Sequence, residues 1–435
     1  MSSPTAVGAG SGSRAGYRAV FAVREFRAVF AAHLMSVLGR VVCEIALSVL
    51  VYRLTGSPLL SALTFAVGLL PYVLGGTLLS AVADRFPARR VLVSCDLLCA
   101  ACAGVMALPG TPVAALLALR CAIAAIAPVF TGTRAATLGE ILGAGDTFVL
   151  GRSVIRLVSQ GSQLAGFAGG GLLLAAVSPR GVLVVTVATF LGSALLLRLG
   201  TRNRPSRDTA DGSSVLRSSL SGTGRLLADR RIRALLLLAW VPPTFVVVSE
   251  SLLTPYSDAL ALGPAGLGLL MCGMPIGAFT SEALAGALLG PRGRARLTMP
   301  VAVLSMLPSL AYAARPGLGW ALACQVLTGC GISYSLGLDQ WFLAAVPAEL
   351  RGRAMTLQLA GLMSAQGLGM TLAGCAAELL PVHRVVAAGG ALGAACVSAV
   401  LLLVGRTAGH EREAVGRREP TAGAPSGPAP RAARR

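Results

Sequence analysis

The sequence predicts an all-α membrane protein, with twelve transmembrane helices arranged as two pseudo-symmetric six-helix bundles. Three observations carry that reading. The 435 residues are 55% hydrophobic and 13% charged, with a mean hydropathy of +0.75, whereas a soluble chain carries about 25% charged residues. Half that charge cannot cover a surface facing water. Twelve apolar runs are each long enough to cross a bilayer core, which takes about 20 residues of helix. The arginines fall in every second loop between those runs.

Residues 1–27 form a cytoplasmic, disordered N-terminus, Ser/Gly/Ala-rich over 1–16. The first run, 28–52, is too long for the apolar part of a cleavable signal and contains Arg40 and Glu44. Runs follow over 60–83, 91–109 and 112–132, the third and fourth meeting at the uncharged turn Pro109-Gly110-Thr111-Pro112. Runs 153–177 and 180–199 complete a first bundle, 28–199. A Ser/Arg-rich connector, 200–233, carries Val215, Leu216, Leu220, Leu226, Leu227 and Ile232, enough for part of it to lie on a membrane surface. Runs 234–256, 263–289, 297–314, 317–346, 354–380 and 383–404 make the second bundle, 234–404. The remainder, 405–435, ends GAPSGPAPRAARR and has the composition of a disordered basic tail.

All 37 basic residues are Arg, and the formal net charge is +19. Such a balance fits nucleic acid or anionic lipid, but the placement points to topology. The N-terminus, the tail and the loops after runs 2, 4, 6, 8 and 10 hold 31 of them; the alternate loops hold four, Arg53, Arg180, Arg315 and Arg384. The positive-inside rule puts both termini in the cytoplasm of a multi-pass cell (plasma) membrane protein. No nucleic-acid partner is expected.

The ten Cys all lie in apolar runs and are expected as free, buried thiols, unlike the framework of a small secreted domain. Cys95, Cys99 and Cys102 share the spacing CxxxCxxC with some iron–sulfur sites, but those ligands sit on a loop that can wrap a cluster. No metal or cofactor is expected. With three His (His33, His383, His410) and no HExxH, GxGxxG or GxxxxGK[ST] motif, the chain does not read as an enzyme. His33 reads as a packed residue more readily than a proton relay. Without a nucleotide-binding domain, transport by this chain is not expected to be ATP-driven.

The halves echo each other. A shift of 204 residues brings Pro71 onto Pro275, Pro87 onto Pro291 and Arg90 onto Arg294. Ser162, Gly166 and Gly170 in run 5 match Gly361, Ala365, Gly369 and Ala373 in run 11 as small residues four apart, a spacing that lets helix backbones approach. A repeated six-helix unit suits a transporter whose halves rock about a site between them.

The segment SAVADRFPARR (80–90) resembles the loop signature of the major facilitator superfamily, matching at Asp84, Arg85, Arg89 and Arg90 and departing at Ser80 and Pro87. The stretch LGRVVCEIALSVLVYRLTGSP (38–58) onward through Asp96, together with VPAELRGRA (346–354), is similar to a bacterial exporter branch. Its members export drugs, macrolides or siderophores. The resemblance covers 28–404 and implies the major facilitator fold, with Asp84, Arg85, Arg89, Arg90 and Asp96 in a gating loop. Asp84 is placed to cap a helix or pair with an Arg across the two halves, and the arginines to meet anionic headgroups or simply to set topology. The second-half equivalent, GPRGRARL (290–297), keeps the arginines but has Leu288 at the Asp position. Arg120 resembles the Arg of a helix-4 signature tied in the family to proton coupling, although Ile123 and Ala124 stand where that signature has Gln-Gly. GFAGGG (166–171) resembles the exporters' antiporter signature with Phe167 in place of its Pro.

Charges inside a bilayer are costly and usually functional. Arg40 and Glu44 are four apart, hence on one helix face; they read either as a self-neutralising pair or as part of a cavity. Glu250 lies as far into run 7 as Glu44 does into run 1, sixteen residues past the start of each, about 24 Å at 1.5 Å per residue. Glu282 and Asp339 read as proton or ligand sites or as partners of loop arginines. Gln160, Gln163, Gln358 and Gln366 are uncharged candidates for substrate contact. The expected function is proton-driven export of small, partly hydrophobic molecules, with protons, a small-molecule substrate and membrane lipids as partners and a monomer as the simplest state. Uptake or facilitated diffusion is the alternative within transport, and a non-transporting scaffold or receptor the alternative outside it.

Overall fold

The structure is a computed structural model, and it describes residues 17–69, 71, 86–142, 146–203, 224 and 226–416. Every regular element in it is helical. We number the spans in chain order: α1 Arg24–Thr55, α2 Pro58–Leu69 as far as it is described, α3 Ala88–Ala107, α4 Val113–Leu142, α5 Asp146–Ala176 and α6 Pro179–Gly200. The second half holds α7 Arg230–Ala259, α8 Gly263–Leu288, α9 Arg292–Ala314, α10 Leu318–Ala345, α11 Arg351–Leu379 and α12 Val382–Gly416. Ten of these twelve are long and apolar enough to cross a membrane; α5 matches them in length, and α2 is a shorter apolar helix over its described part. The chain is a multi-pass membrane protein of twelve helices in two six-helix bundles.

The two bundles are packed by the same logic. In the first, the small residues of α5 let it lie on α1: a Cβ at Gly166 or Gly170 would run into Val41 or Ile45. In the second, α11 lies on α7 in the same way, with Gly361 against Trp240 and Gly369 against the Thr244 carbonyl. Pro87 and Pro291 each open the third helix of their half, as the 204-residue shift requires.

Several sequence boundaries move for identifiable reasons. The N-terminal segment 1–27 is not featureless: Tyr17–Ala22 is helical, and Phe21 packs edge-on against Phe26 and Phe30 while Val20 is buried. Apolar anchoring there outweighs a polar leader. The GPRGRARL loop is instead the first two turns of the ninth helix, begun by Pro291, and Arg294 donates to the Ala285 and Gly286 carbonyls at the end of α8. Cations suit a helix C-terminus. α4 runs ten residues past its apolar run, so Arg134 lies inside the helix rather than in a loop. α12 continues beyond Val404 to Gly416, because nothing in 405–416 forbids helix until the Gly/Pro-rich tail; the rest of that tail lies outside the described residues. So do residues 204–223 of the connector, whose end is set by Asp229 accepting from the backbone N–H of Arg231 and Ile232 at the start of α7.

Three helices of the second half are discontinuous. α7 breaks at Leu252, α9 at Ser305–Met306, and α10 passes through one tight 3-10 turn at Gly331–Ser333. Pro242 and Pro243 also sit inside α7 and remove two backbone donors. The carbonyl of Leu238, which would have bonded to residue 242, accepts from the Tyr334 hydroxyl of α10 at 3.4 Å. Irregular backbone within a membrane is tolerated where protein or a cavity satisfies it.

Candidate functional site

Among the described residues, one end of the bundle carries Arg89, Arg90, Arg198, Arg292, Arg294, Arg351 and Arg353; the other carries Arg53, Arg180, Arg315 and Arg384. The halves are joined toward the arginine-poor end. Ser48 of α1 and Thr254 of α7 share a buried hydroxyl bond of 2.7 Å, and Ser48 also meets Ser61 of α2 at 2.9 Å. Glu378, in the last turn of α11, accepts from the Ser57 hydroxyl and from the Leu59 backbone N–H at 3.0 Å, so a carboxylate of one half caps the first turn of α2 in the other. Gly171 of α5 and Gly268 of α8 bring two backbones together; a Cβ on Gly268 would stand 2.8 Å from the Phe167 carbonyl oxygen and 2.9 Å from the Gly171 Cα. The Cys272 thiol of α8 donates to the Leu164 carbonyl of α5 at 3.6 Å.

Just beneath this seam lie the intramembrane charges. The sequence offered Arg40 as partner of Glu44. The structure gives Glu44 another: Arg120 of α4, whose Nη2 donates to Oε1 at 2.8 Å. The guanidinium reaches across because Gly68 of α2 has no side chain, since any Cβ there would collide with it. Helical period fixes which residues share a face, but not which neighbour's long side chain arrives there. Arg120 is buried, and its Nε has no partner among the described residues. Arg40 lies lower in α1, where its charge acts on His33 and Arg134. Glu250 is half-buried in the last turn of α7 before the break, as many residues from Arg230 at the start of α7 as Glu44 is from Arg24 at the start of α1.

A cavity of about 600 Å³ occupies the second half. It runs from Met355 and Thr356, near the arginine-rich end of α11, up to Val246 and Val247, one turn below Glu250. Pro243, Ser305, Gly331 and Ile332 line it, so the helix breaks are what open it. Its walls are mainly apolar, with Tyr334, Asp339, Gln358 and Gln366 as polar points. Gln358 donates from Nε2 to Asp339 Oδ1 at 3.3 Å while its buried Oε1 has no partner among the described residues. Three sequence candidates thus share one wall. Gln160 and Gln163 of α5 do not line this cavity, Gln160 being exposed, and Glu282 sits half-buried on α8 outside it.

A second polar cluster holds the first half together. Asp96 was grouped with the loop 80–90, but α3 begins at Ala88, so Asp96 lies two turns inside it and is buried. It accepts from Ser193 of α6 at 2.5 Å and from Ser36 of α1 at 3.1 Å. His33 is packed between Ser159 of α5, at 2.8 Å, and the Arg134 guanidinium, which stacks over Phe130 at 4.3 Å. Asp84 and Arg85 lie outside the described residues; Arg89 and Arg90 occupy the first turn of α3. The three Cys of the CxxxCxxC run lie on one continuous helix, and among the described residues no group of His, Cys, Asp and Glu is placed to hold a metal. Sequence reading missed Glu378, Ser48 and Thr254, because a contact between helices 321, 319 or 206 residues apart leaves no local signal.

A family profile described as Major Facilitator Superfamily matches residues 29–338. No curated protein matches the chain. Among solved structures, the nucleoside transporter NupG is 15% identical, with a TM-score of 0.70 over 86% of this chain and 98% of that one. A POT family transporter in complex with a thioalcohol-conjugated peptide is 13% identical, with a TM-score of 0.68 over 88% and 96%. A bacterial homolog of the human lysosomal transporter Spinster, inward-facing and occupied, is 16% identical, with a TM-score of 0.60 over 90% and 96%. At these identities the likeness is one of fold.

Proposed function

The chain belongs to the major facilitator superfamily, a superfamily of membrane transporters and not of enzymes, and from that membership we propose that it is a proton-driven exporter of small, partly hydrophobic molecules: a drug, a secondary metabolite or a siderophore. It works by rocker-switch alternating access in the cell membrane, with both termini cytoplasmic. The arginine-rich end then faces the cytoplasm, and a conformer joined at the arginine-poor end with its cavity toward the arginine-rich end is inward-facing. The observation that carries the proposal is the Glu44–Arg120 ion pair inside the membrane, together with an apolar cavity whose upper residues, Val246 and Val247, lie one turn below Glu250.

Closing the outer seam buries Glu250 in low dielectric at the depth of the Glu44–Arg120 pair. Arg120 neutralises Glu44; Glu250 closes at least cost when it carries a proton, because an uncompensated charge in that setting is expensive. Glu250 takes that proton from outside when the seam is open and yields it to the cavity when substrate and water enter from below. Proton entry is thereby exchanged for substrate exit. The mainly apolar wall with Tyr334, Gln358 and Gln366 suits a partly hydrophobic substrate, Asp339 adding a charged point. Asp84, Arg85, Arg89 and Arg90 serve as the cytoplasmic gating loop.

The test uses proteoliposomes carrying the full chain and a substrate found by comparing metabolites in deletion and overexpression strains. Accumulation driven by an imposed pH gradient supports the proposal. Movement down a substrate gradient that ignores pH identifies facilitated diffusion or uptake, and no movement identifies a scaffold or receptor.

A further inference from the structure

On the arginine-rich face of the first half, away from the seam, a pocket of about 410 Å³ opens where the start of α3 meets the end of α6. It is lined by Arg89, Arg90, Val93, Ser94, Arg198 and Asn203. Three guanidinium groups with no acid among the pocket's lining residues repel one another unless an anion joins them. Among the described residues none of the three has an ion-pair or side-chain hydrogen-bond partner. Glu25 of α1, which accepts from the Arg202 backbone N–H at 2.9 Å, does not line the pocket. Two of the cations also sit at the positive end of α3, whose first turn has no acidic residue and no side-chain cap. That arrangement is unfavourable for arginine and favourable for a bound phosphate.

The surface continuing from the pocket says what carries the phosphate. Ser94 and Leu97 follow Arg90 by four and seven residues, so all three lie on one face of α3; Leu191 and Leu195 precede Arg198 by seven and three on one face of α6. Leu97, Leu98, Leu191, Leu195 and Leu199 are all exposed, as residues facing hydrocarbon are. A basic pocket thus heads two packed helices that expose leucines beyond it. We infer that this pocket binds the headgroup of an anionic phospholipid, its phosphate held by Arg89, Arg90 and Arg198 with Asn203 and Ser94 as hydrogen-bonding partners, and its acyl chains along the α3–α6 leucines. The bound lipid ties α3 to α6 within one half. The inference needs only a membrane protein and stands apart from the direction or coupling of transport.

The experiment compares the full chain in nanodiscs of phosphatidylcholine alone, of phosphatidylcholine with phosphatidylglycerol, and of phosphatidylcholine with added inorganic phosphate. Thermal unfolding is followed in each, and lipid retained after detergent extraction is read by native mass spectrometry. Phosphatidylglycerol is expected to raise the unfolding midpoint and to remain bound, while inorganic phosphate does neither. Arg198→Gln should lower retention at least tenfold and lose the gain in midpoint, yet unfold as the wild type does in phosphatidylcholine alone; Arg198→Lys should keep part of both. Should the Gln variant fold poorly, the Lys variant and the wild-type lipid comparison still decide. Equal retention in wild type and Arg198→Gln overturns the site, and equal stabilisation by inorganic phosphate overturns the lipid in favour of a free anion.

Discussion

At the scale of single residues, Glu250 and the Glu44–Arg120 pair are the most informative positions. Glu250→Gln copies the protonated form permanently. In proteoliposomes it should abolish substrate accumulation driven by a pH gradient while leaving binding measurable; retained accumulation would move the coupling role to Glu282 or Asp339. The ion pair makes a sharper prediction. Glu44→Gln leaves the buried Arg120 without its anion, and Arg120→Gln leaves Glu44 without its cation. Breaking such a pair from one side costs about 3 kcal/mol, more than removing it whole. The double variant Glu44→Gln/Arg120→Gln should therefore unfold at a higher temperature than either single variant, whereas Arg40→Gln should give Glu44→Gln no such rescue. Rescue by Arg40 instead would restore the intrahelical pairing that helical spacing alone suggested.

At the scale of elements, the outer seam depends on α5 against α8 and on α11 against α2. Gly171 and Gly268 let the first pair touch along their backbones, and a side chain at Gly268 meets a carbonyl and a Cα with nowhere to move. Gly268→Val should wedge the arginine-poor end apart, so that a single Cys introduced at Thr254 reacts faster with a water-soluble maleimide than in the Gly268 background. An unchanged rate would mean the halves do not close there. Glu378 holds the second pair by capping α2. Losing those exposed hydrogen bonds through Glu378→Ala should shift the balance toward the outward-open form by about 1 kcal/mol, near fivefold in population. Distances between spin labels across the two ends would read that shift, and an unchanged distribution would reduce Glu378 to a passive surface group.

At the scale of the whole molecule, orientation governs every statement about gating side. Arginines are concentrated at one end of both bundles, and moving them across a membrane is what the positive-inside rule forbids. In a Cys-less background, single Cys at Arg180 or Arg315 should label from outside intact cells, and Cys at Arg202 or Arg294 should not. The reverse pattern would make the conformer outward-facing and move the gating loop to the outside, while an obligate exchange would still run in the direction the proton gradient sets. The breaks in α7, α9 and α10 matter at this scale too: they gather in one half and open its cavity, so the two bundles share a plan without being equivalent.

Hydropathy alone determined that the chain spans a membrane, in how many runs, and with what spacing of small residues, because a bilayer imposes helix length and apolar surface on each segment separately. The echo between halves was legible for the same reason: Pro87 and Pro291, or the stripes of α5 and α11, act within their own helices. Tertiary structure decided what depth and period do not contain. Arg120 rather than Arg40 reaches Glu44 because Gly68, on a third helix, leaves the path open. Asp96 belongs to the packed interior because α3 starts eight residues before it, and Glu378 caps α2 because α11 meets α2 at that end. A partner on another helix is chosen by how the helices are set against one another, and that choice is made by the whole packed assembly rather than by any one stretch of sequence.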